Sequence, residues 1–316
     1  MNTYFHSVRL DEEKCMGCTN CIKRCPTQAI RVRSGKAHII SERCIDCGEC
    51  IRVCPHHAKY SHRDSMNRII EFKYRVALPA PSLYGQFNNL DDIGYVITAL
   101  KMLGFDEVFE VARGAELVSD ATRKYIAEHD IPRPVISSAC PAVCRLIRVC
   151  FPHLVPHVLP LNSPMETAAL IARSEAQAKT GLDSLDIGIF FITPCPAKIT
   201  AVKQPICLPE SNVDAVIAMK DIYPVLLKQM NHLGAPEDAC KSGLMGVNWA
   251  SSGGESAALL KDKYLAADGI ENVIKVLEEI EDEKLDRLDF VELNACSGGC
   301  VGGSLTAENP YVAKAR

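Results

Sequence analysis

The chain has 316 residues and a formal net charge of −4, and 47% of its residues are hydrophobic. This composition is typical of a folded protein with enough chain for two domains. Mild acidity gives no reason to expect nucleic-acid binding, which requires a basic face, and no apolar run approaches the roughly 18–20 residues of a membrane span. The N-terminal residues lack the apolar segment of a signal peptide. We therefore expect a cytoplasmic protein with no membrane span and no nucleic-acid partner.

Cysteine is the residue type in excess, with 16 copies. The cytosol keeps thiols reduced, so clustered cysteines there usually bind metal or carry out redox chemistry. A disulfide scaffold is the alternative, but such scaffolds are short and secreted. Eight of the cysteines lie between Cys15 and Cys54. This dense group predicts a metal-binding module at the N-terminus.

The first eight cysteines form an internal repeat with an offset of 29 residues, in which Cys15 aligns with Cys44 and each half reads C-x2-C-x2-C-x3-C-P. In bacterial ferredoxins each such run supplies three thiolates to one [4Fe-4S] cluster and its fourth to the other. The predicted ligand sets are Cys15, Cys18, Cys21 and Cys54 for one cluster, and Cys25, Cys44, Cys47 and Cys50 for the other. Zinc is the alternative, but it would not need a fourth cysteine before proline in both halves. We predict an α+β ferredoxin-like module with two [4Fe-4S] clusters at residues 1–75.

After a basic connector at residues 61–75, predicted strands alternate with predicted helices. The apolar spacing from Asp91 to Gly104 is that of one helix face, and Ser163-Pro164 has the form of a helix start with proline in the first turn. In chain order the predicted elements are strand Val76–Leu78, helix 91–104, strand Val108–Val111, helix Ala121–His129, strand Pro134–Ser138, helix 163–179, strands Asp186–Ile192 and Val213–Ile217, helix Ile270–Ile280 and strand Phe290–Leu293. This alternation predicts an α/β domain at residues 76–316.

Three of the predicted strands lead directly into a cysteine, namely Cys140, Cys195 and Cys296. Ligands of α/β folds gather outside the carboxyl ends of strands, so three separate segments deliver a thiol to what could be one place. With Cys300 there are four thiolates, which is enough for one further [4Fe-4S] cluster. The glycines beside Cys296 and Cys300 let the backbone approach a bulky inorganic group. Lys198 follows Cys195 by three residues and is placed to meet anionic cofactor groups.

Three motifs carry a resemblance to a known family. They are Ser137-Ser138-Ala139-Cys140-Pro141, Thr193-Pro194-Cys195-Pro196-Ala197-Lys198, and Glu292-Leu293-Asn294-Ala295-Cys296-Ser297-Gly298-Gly299-Cys300-Val301-Gly302-Gly303. Together with the ferredoxin module they resemble the [FeFe]-hydrogenases over essentially the whole chain. The resemblance implies a two-lobed α/β domain that holds an H-cluster, which is a [4Fe-4S] cubane joined to a diiron subsite with CO, cyanide and azadithiolate ligands. It further implies H2 and protons as substrates, a diiron maturation machinery, and a redox partner protein or downstream signalling domain.

The resemblance assigns roles to individual residues. It implies that Cys140, Cys195, Cys296 and Cys300 ligate the cubane and that Cys300 also bridges to the diiron unit. Lys198 matches a lysine that hydrogen-bonds one cyanide, and Pro81-Ser82 matches a turn that contacts the other. Further cofactor contacts are expected from Met165, Thr193, Ser252 and Gly253, although Ser252-Gly253 can equally be read as a plain helix-capping turn.

The departures from the family pattern concern proton delivery. Ala139 stands where the family has a cysteine that hands protons to the azadithiolate amine, and alanine cannot relay a proton. Thr193 and Met165 replace the family's methionine and glutamine, and its acidic relay pair falls at Ala121-Thr122. Because proton delivery by a positioned group contributes on the order of 10²–10⁴ in rate, we expect slow H2 turnover.

The same pattern resembles the sensory subgroups of the family, which report H2 or redox state. Such proteins carry further C-terminal sequence, so the end at Arg316 leads us to expect a truncated chain. A cubane-only protein of iron–sulfur cluster assembly or of electron transfer is the alternative function, with about twelve irons and no diatomic ligands. Cys144, one helical turn after Cys140, is the candidate replacement relay, and we interpret Cys150 as a small buried hydrophobe.

Overall fold

The structure is a computed structural model, and it describes residues 4–88, 90–236, 239–260 and 262–316. Residues 1–3, which belong to the segment from which we predicted the absence of a signal peptide, lie outside the described residues. Within the described ranges, no helix is both long and apolar enough to cross a membrane.

The N-terminal module contains two antiparallel strand pairs and two single-turn helices. In chain order its elements are β1 (Val8–Leu10), α1 (Asn20–Lys23), β2 (Ile30–Arg33), β3 (Lys36–Ile39), α2 (Glu49–Arg52) and β4 (Lys59–Ser61). β1 pairs with β4, and β2 pairs with β3. Small apolar residues and the cysteines themselves form the buried core of this module, since little other apolar material is present between the strand pairs.

The backbone follows the sequence repeat closely. α1 and α2 lie 29 residues apart, and so do three pairs of residues with positive φ angles: Gly17 and Asp46, Thr19 and Gly48, and Gln28 and His57. A positive φ is unusual for residues other than glycine, so its recurrence at matched positions shows that both halves adopt the same loop conformation. The two halves therefore present their cysteines in the same way.

The connector at residues 62–73 lies on the second domain. It contains a 3-10 helix at Met66–Glu71, and Ile69 and Phe72 pack against the core of the next domain. The Val216 amide donates to the Asp64 carboxylate at 2.8 Å, and the Asp64 amide donates to the Val216 carbonyl at 3.1 Å. The first strand of the second domain begins just after this segment, so the predicted boundary at residue 75 falls inside that strand.

The second domain alternates strands and helices. In chain order they are β5 (Tyr74–Pro79), α3 (Gly94–Met102), β6 (Glu107–Val108), α4 (Val111–Glu128), β7 (Val135–Ile136), α5 (Pro141–Cys150), α6 (Pro164–Thr180), β8 (Ile187–Thr193), α7 (Pro196–Lys203), β9 (Ala215–Ala218), α8 (Met219–Met230), α9 (Leu244–Asn248), α10 (Gly254–Ala258), β10 (Tyr264–Asp268), α11 (Ile270–Glu281), β11 (Phe290–Asn294) and α12 (Pro310–Ala315). Further 3-10 helices occur at Pro81–Gln86, Pro152–His157, Ser184–Asp186 and Cys300–Gly302.

These elements form two lobes, each with its own parallel sheet. The first sheet has the order β6-β5-β8-β9 and the second has the order β10-β11-β7. All seven residues of β8 are buried, as expected for a strand covered by helices on both faces. The predicted fold class, an α+β ferredoxin-like module followed by an α/β two-lobed domain, is thereby confirmed.

Two local predictions were wrong. The strand predicted at Val108–Val111 is only Glu107–Val108, and Val111 already begins α4, ten residues before the predicted start. Val111, Ala115 and Val118 are buried on one face of α4, which packs against α6, and this packing favours helix over strand. Cys150 is exposed rather than buried, because α5 ends there and the buried Phe151 continues the core instead.

Candidate metal centres

The first cluster of cysteines lines a cavity of the ferredoxin module. The thiols around this empty volume of about 340 Å³ include Cys15, Cys18, Cys21 and Cys54. The Ala37 amide donates to the Cys15 sulfur at 3.4 Å, and the Ala58 amide donates to the Cys54 sulfur at 3.3 Å. The structure thus brings together the first ligand set predicted from the repeat, with amides pointing at sulfur as iron–sulfur clusters require.

The second cavity repeats this arrangement. Its empty volume is about 360 Å³, and its lining includes Cys25, Cys44, Cys47 and Cys50. The Ala29 amide donates to the Cys25 sulfur at 3.2 Å, which is the repeat equivalent of the Ala58 contact. Four converging thiols, backbone amide donors and a cluster-sized space fit a [4Fe-4S] cluster in each cavity.

The electrostatic surroundings of the two cavities differ. At the first cavity burial would raise the pKa of Cys15, but hydrogen bonds from Gly17 and Ala37 and the charges of Lys36 and Lys59 lower it. At the second cavity burial raises the pKa of Cys50 to about 12 and also raises the pKa of Cys44. For Cys44 the neighbouring Asp46 carboxylate adds to the effect of burial. At the first cavity burial also raises the pKa of Cys21, so the thiol whose ionisation is favoured there is Cys15.

A third set of four cysteines meets at the seam between the two lobes. Cys140 precedes α5 and follows β7, Cys195 follows β8 and precedes α7, and Cys296 follows β11. The two sheets therefore direct their carboxyl ends toward one place. Burial raises the pKa of the Cys195 thiol to about 11, and the charge of Lys198 partly offsets this effect. Burial and the neighbouring thiols raise the pKa of Cys296 well above its usual range.

Lys198 provides the cation of this centre. Its half-buried side chain donates to the Cys300 sulfur, with 3.5 Å between Nζ and Sγ. Burial alone would lower the pKa of Lys198, but the charges of Cys300, Cys195 and Cys140 outweigh it and raise that pKa. A lysine in this setting stays protonated and can neutralise an anionic group beside Cys300.

A cavity with an empty volume of about 420 Å³ adjoins Cys300. Among its lining residues, those predicted from the sequence are Pro81, Ser82, Ala139, Met165, Lys198 and Cys300. Its remaining wall is largely apolar and includes Val111, Ala115, Phe191 and Trp249, which the sequence motifs did not indicate. Trp249 is the single tryptophan of the chain and stands two residues before Ser251. This position next to the Ser252-Gly253 turn could have indicated a residue of the cavity wall. The Cys300 thiol and the Lys198 cation at the wall of this cavity fit a diiron subsite with anionic ligands.

Three predicted cofactor contacts lie beside this cavity rather than in its lining. The Thr193 hydroxyl donates to the Cys195 carbonyl at 3.1 Å and accepts from the Cys195 amide at 3.3 Å, so it is occupied by the backbone turn. The Ser252 amide donates to the Gly298 carbonyl at 3.0 Å. The Gly253 amide donates to Glu292 at 3.0 Å. These residues shape the loops that hold the cysteines.

A pair of buried carboxyl groups lies behind Ala139 and was missed from the sequence. The Ser137 hydroxyl accepts from the Ala139 amide at 3.1 Å and donates to Glu255 at 2.7 Å. Burial and the charge of Glu292 raise the pKa of Glu255 to about 8. Glu292 itself accepts hydrogen bonds from the backbone amides of Gly253 and Ser256. Glu255 is therefore a carboxyl group that can hold a proton near neutral pH.

Cys144 lies on a wider cleft that also reaches Ala139 and Lys198. The empty volume of this cleft is about 1430 Å³. The Cys144 thiol donates to the Ser138 carbonyl at 3.4 Å, and burial, with the charge of Cys140, raises its pKa to about 12. A thiol with this pKa releases its proton reluctantly at neutral pH.

The second ferredoxin cavity lies against the catalytic lobes. Asp46 accepts a hydrogen bond from Thr200 of α7 at 2.9 Å, and Arg52 donates to the Gly302 carbonyl at 2.7 Å. Gly48 has a φ of +83°, and a Cβ placed on it would lie 2.2 Å from the Ser304 hydroxyl. The first cavity, in contrast, reaches the surface, where Cys18 is exposed.

Comparisons with known proteins agree with this architecture. Residues 73–264 and 250–304 match the family model of the iron-only hydrogenase large subunit, C-terminal domain, and residues 7–55 match a 4Fe-4S dicluster domain. The chain is 26% identical to the periplasmic [Fe] hydrogenase large subunit of Nitratidesulfovibrio vulgaris, over 98% of this chain and 88% of that protein. It is 24% identical to iron hydrogenase 1 of Clostridium pasteurianum, over 94% of this chain but only 64% of that protein.

The fold is similar to that of solved hydrogenases. A variant of the [FeFe]-hydrogenase HydA1 from Chlamydomonas reinhardtii superposes with a TM-score of 0.60 at 19% identity, covering 79% of this chain and 86% of that one. The hydrogenase model spans both lobes and every cysteine motif of the second domain. The chain therefore belongs to the iron-only hydrogenase family, H2-converting oxidoreductases whose cofactors here are two [4Fe-4S] clusters and an H-cluster.

Proposed function

We propose that this chain interconverts H2 with protons and electrons at low turnover and acts as a sensor of H2 or redox state. The observation that carries the proposal is the cavity beside Cys300, whose wall includes Lys198 and Ala139. Cys140, Cys195 and Cys296 lie close to Cys300 at the edge of this cavity. The groups that would hold the metals are present, whereas the group that would pass protons is replaced by a methyl group. Such a site binds its substrate normally and exchanges protons slowly.

The ligand roles follow from the placement of the side chains. Cys140, Cys195, Cys296 and Cys300 would hold the cubane, and Cys300 would also bridge to the diiron subsite. The Lys198 ammonium would pair with one anionic diatomic ligand, and the fully buried Ser82 would contact the other across the cavity. When bound, the diiron subsite supplies the metal at which H2 is split or formed. The apolar wall around it excludes water.

Three groups near Ala139 could hold a proton, and each is poorly suited to deliver one. The raised pKa of Lys198 keeps its proton in place, and Cys144 has a pKa of about 12. Glu255 has a pKa of about 8, which is well matched to neutral pH, but the Ser137 hydroxyl stands between it and the Ala139 turn. We infer that protons reach the cavity through Glu255 and Ser137, and that this indirect route limits turnover.

Electron transfer, in contrast, has an uninterrupted set of sites. The second ferredoxin cavity packs on α7 and on the turn after Cys300, and the first cavity reaches the surface. Electrons can therefore pass between the H-cluster and an external partner through the two ferredoxin clusters. A chain with good electron contacts and slow proton exchange is suited to reporting H2 rather than to consuming it in bulk.

The test is infrared spectroscopy and iron analysis of one sample after maturation with a synthetic diiron complex. We expect CO and cyanide bands together with slow H2 turnover. Absence of these bands with about twelve irons per chain would overturn the proposal and favour the cubane-only function. Turnover as fast as that of a hydrogenase with the relay cysteine, measured in the same assay, would overturn the sensory assignment.

A further inference from the structure

Lys59 breaks the internal repeat of the ferredoxin module at a buried position. With the offset of 29 residues it corresponds to Ile30, and both side chains are only 3% exposed. Ile30 lines the second cluster cavity, whereas Lys59 lines the first. The matched position is therefore apolar at one cluster and cationic at the other.

The Lys59 ammonium has no hydrogen-bond partner among the described residues. Burial of an unpaired charge is costly, and a protein tolerates it where a counter-charge is present. At the first cavity that counter-charge would be the cluster with its four thiolates. The apolar side chain at the repeat-equivalent position shows that the fold itself does not require a lysine here.

The other charged groups sharpen the difference between the cavities. At the first cavity Lys36 adds a second positive charge, and its ammonium donates to the Cys15 carbonyl at 2.8 Å. Lys14 is paired with Asp11, and the neighbouring Glu12 and Glu13 are exposed to solvent, which screens their charge. The lining of the first cavity includes Lys59 and no carboxylate, so the Lys59 ammonium is the buried charge that faces this cluster.

At the second cavity positive and negative groups are paired. Asp46 lies beside Cys44 and is 3.2 Å from the ring of His6, and Arg145 is near enough to interact with its charge. Glu49 is paired with Arg52 at 3.2 Å. These charges largely cancel, so the two cavities differ mainly by the ammonium groups of the first.

We propose that Lys59 makes the cluster at the first cavity the higher-potential cluster of the two and so directs electrons from the catalytic domain toward the exposed end of the module. One-electron reduction adds a negative charge to a [4Fe-4S] cluster, and a nearby buried cation stabilises the reduced form. H2 oxidation releases two protons and two electrons, and the two clusters can take one electron each. The direction of electron flow rests on the proposed function, whereas the order of the two reduction potentials does not.

The exposed end has a surface suited to electron exit. Cys18 is exposed, and Met16 beside it is 68% exposed. An electron held at the first cluster is therefore close to the surface, whereas the second cluster is covered by the catalytic lobes. A raised potential at the outer site favours H2 oxidation and retention of the electrons where a partner can take them.

The test is a redox titration of the full chain, loaded with its [4Fe-4S] clusters but without the diiron subsite, followed by electron paramagnetic resonance. In Lys59→Met we expect the reduced-to-oxidised ratio of the higher-potential ferredoxin cluster to fall about tenfold at a fixed potential, which is about 59 mV for a one-electron couple. The other ferredoxin cluster should change less, because Lys59 lines only the first cavity although its charge also reaches Cys50 of the second. Lys59→Arg keeps the charge and should retain the wild-type titration.

Ile30→Lys is the reciprocal variant, and it keeps the proposal testable if Lys59→Met does not load its clusters. It places an ammonium at the second cavity and should raise the lower potential, which narrows the gap between the two clusters. Unchanged potentials in Lys59→Met, or an equal shift of both clusters, would overturn the inference. Because no hydrogenase readout is used, a missing diiron subsite would defeat the proposed function without affecting this result.

Discussion

The ferredoxin module and the cavity beside Cys300 differ in what their walls supply. In the module each cluster cavity combines four thiols with backbone amides that point at sulfur. The cavity beside Cys300 has one thiol and the Lys198 ammonium in an otherwise largely apolar wall, and Ala139 belongs to that wall. On the proposed function, the molecule retains the groups that hold the clusters and lacks a group that would deliver protons directly.

The proposed function implies that electron transfer and proton transfer are under separate control in this chain. Electron transfer depends on ligand cysteines, whose loss would remove a cluster outright. Proton transfer depends on single side chains that can change without loss of metal, so turnover can be lowered while the cofactors stay in place. The predictions below test this separation, beginning with the largest expected effect.

Cys300→Ala should abolish the catalytic site. On the proposed ligand assignment the substitution would remove a cubane ligand and the bridge to the diiron subsite, so we expect no CO or cyanide infrared bands after maturation and no measurable H2 turnover. The ferredoxin clusters should remain, as measured by electron paramagnetic resonance. Cys150→Ala, at an exposed thiol, is the matched control and should behave as wild type. Diatomic bands of normal intensity in Cys300→Ala would contradict the assignment.

Glu255→Gln should lower turnover by about tenfold, less than the roughly 10²–10⁴ contributed by a directly positioned acid, because the Ser137 hydroxyl lies between Glu255 and the Ala139 backbone amide. H2 formation needs protonated Glu255, so the wild-type rate should fall as pH rises through about 8. The glutamine variant should lose this inflection in a pH–rate profile. Glu110→Gln changes another buried carboxylate and should retain the inflection. An inflection near pH 8 in both variants would exclude Glu255 as the titrating group.

The same raised pKa affects stability. In the folded state Glu255 holds its proton up to about pH 8, whereas in the unfolded state it has the ordinary value of 4.5. The folded protein therefore binds more protons between these values, and its free energy of unfolding should fall as pH rises from about 4.5 to 8. Denaturant titrations of wild type and Glu255→Gln at several pH values should show a shallower slope in the variant. Equal slopes would show that burial does not perturb this carboxyl group.

Gly48→Ala should weaken the contact between the ferredoxin module and the catalytic lobes by about 1–3 kcal/mol. A methyl group there is strained by the positive φ and collides with Ser304, whose hydroxyl would lie 2.2 Å from the new Cβ. Gly35→Ala is the control, because its φ is also positive at +74° but nothing lies within 4 Å of the new Cβ. The measurement is the denaturation midpoint followed by cluster absorbance. Equal midpoints in the two variants would show that Ser304 moves aside without effect.

The cysteine framework could be predicted from the sequence because its information is local. Spacing in the repeat indicated which thiols share a cavity, and strand ends indicated that Cys140, Cys195 and Cys296 converge. The strands leading into them were also visible from their apolar runs, as in β8. These features depend on short stretches of chain, for which residue spacing is informative.

The rest of the site depends on contacts between distant segments. Glu255 and Glu292 meet across α10 and β11, and neither belongs to a spacing pattern that marks an acid pair. Phe191 and Trp249 reach the cavity wall from different elements in the same way. The early start of α4 at Val111 depends on packing against α6, and the local sequence pattern does not indicate this packing. Tertiary contact, rather than local propensity, determines these parts of the site.

The most direct test of the central claim, that proton delivery limits turnover, compares Ala139→Cys with wild type in the same H2 assay. Rates are divided by the intensity of the diiron infrared bands, so that a difference in cofactor loading does not enter. A thiol at this position lines the cavity beside Lys198 and Cys300, and we predict a rise in turnover by about 10²-fold. A rate equal to that of wild type at equal band intensity would contradict the account, because proton delivery at residue 139 would then not be the limiting step.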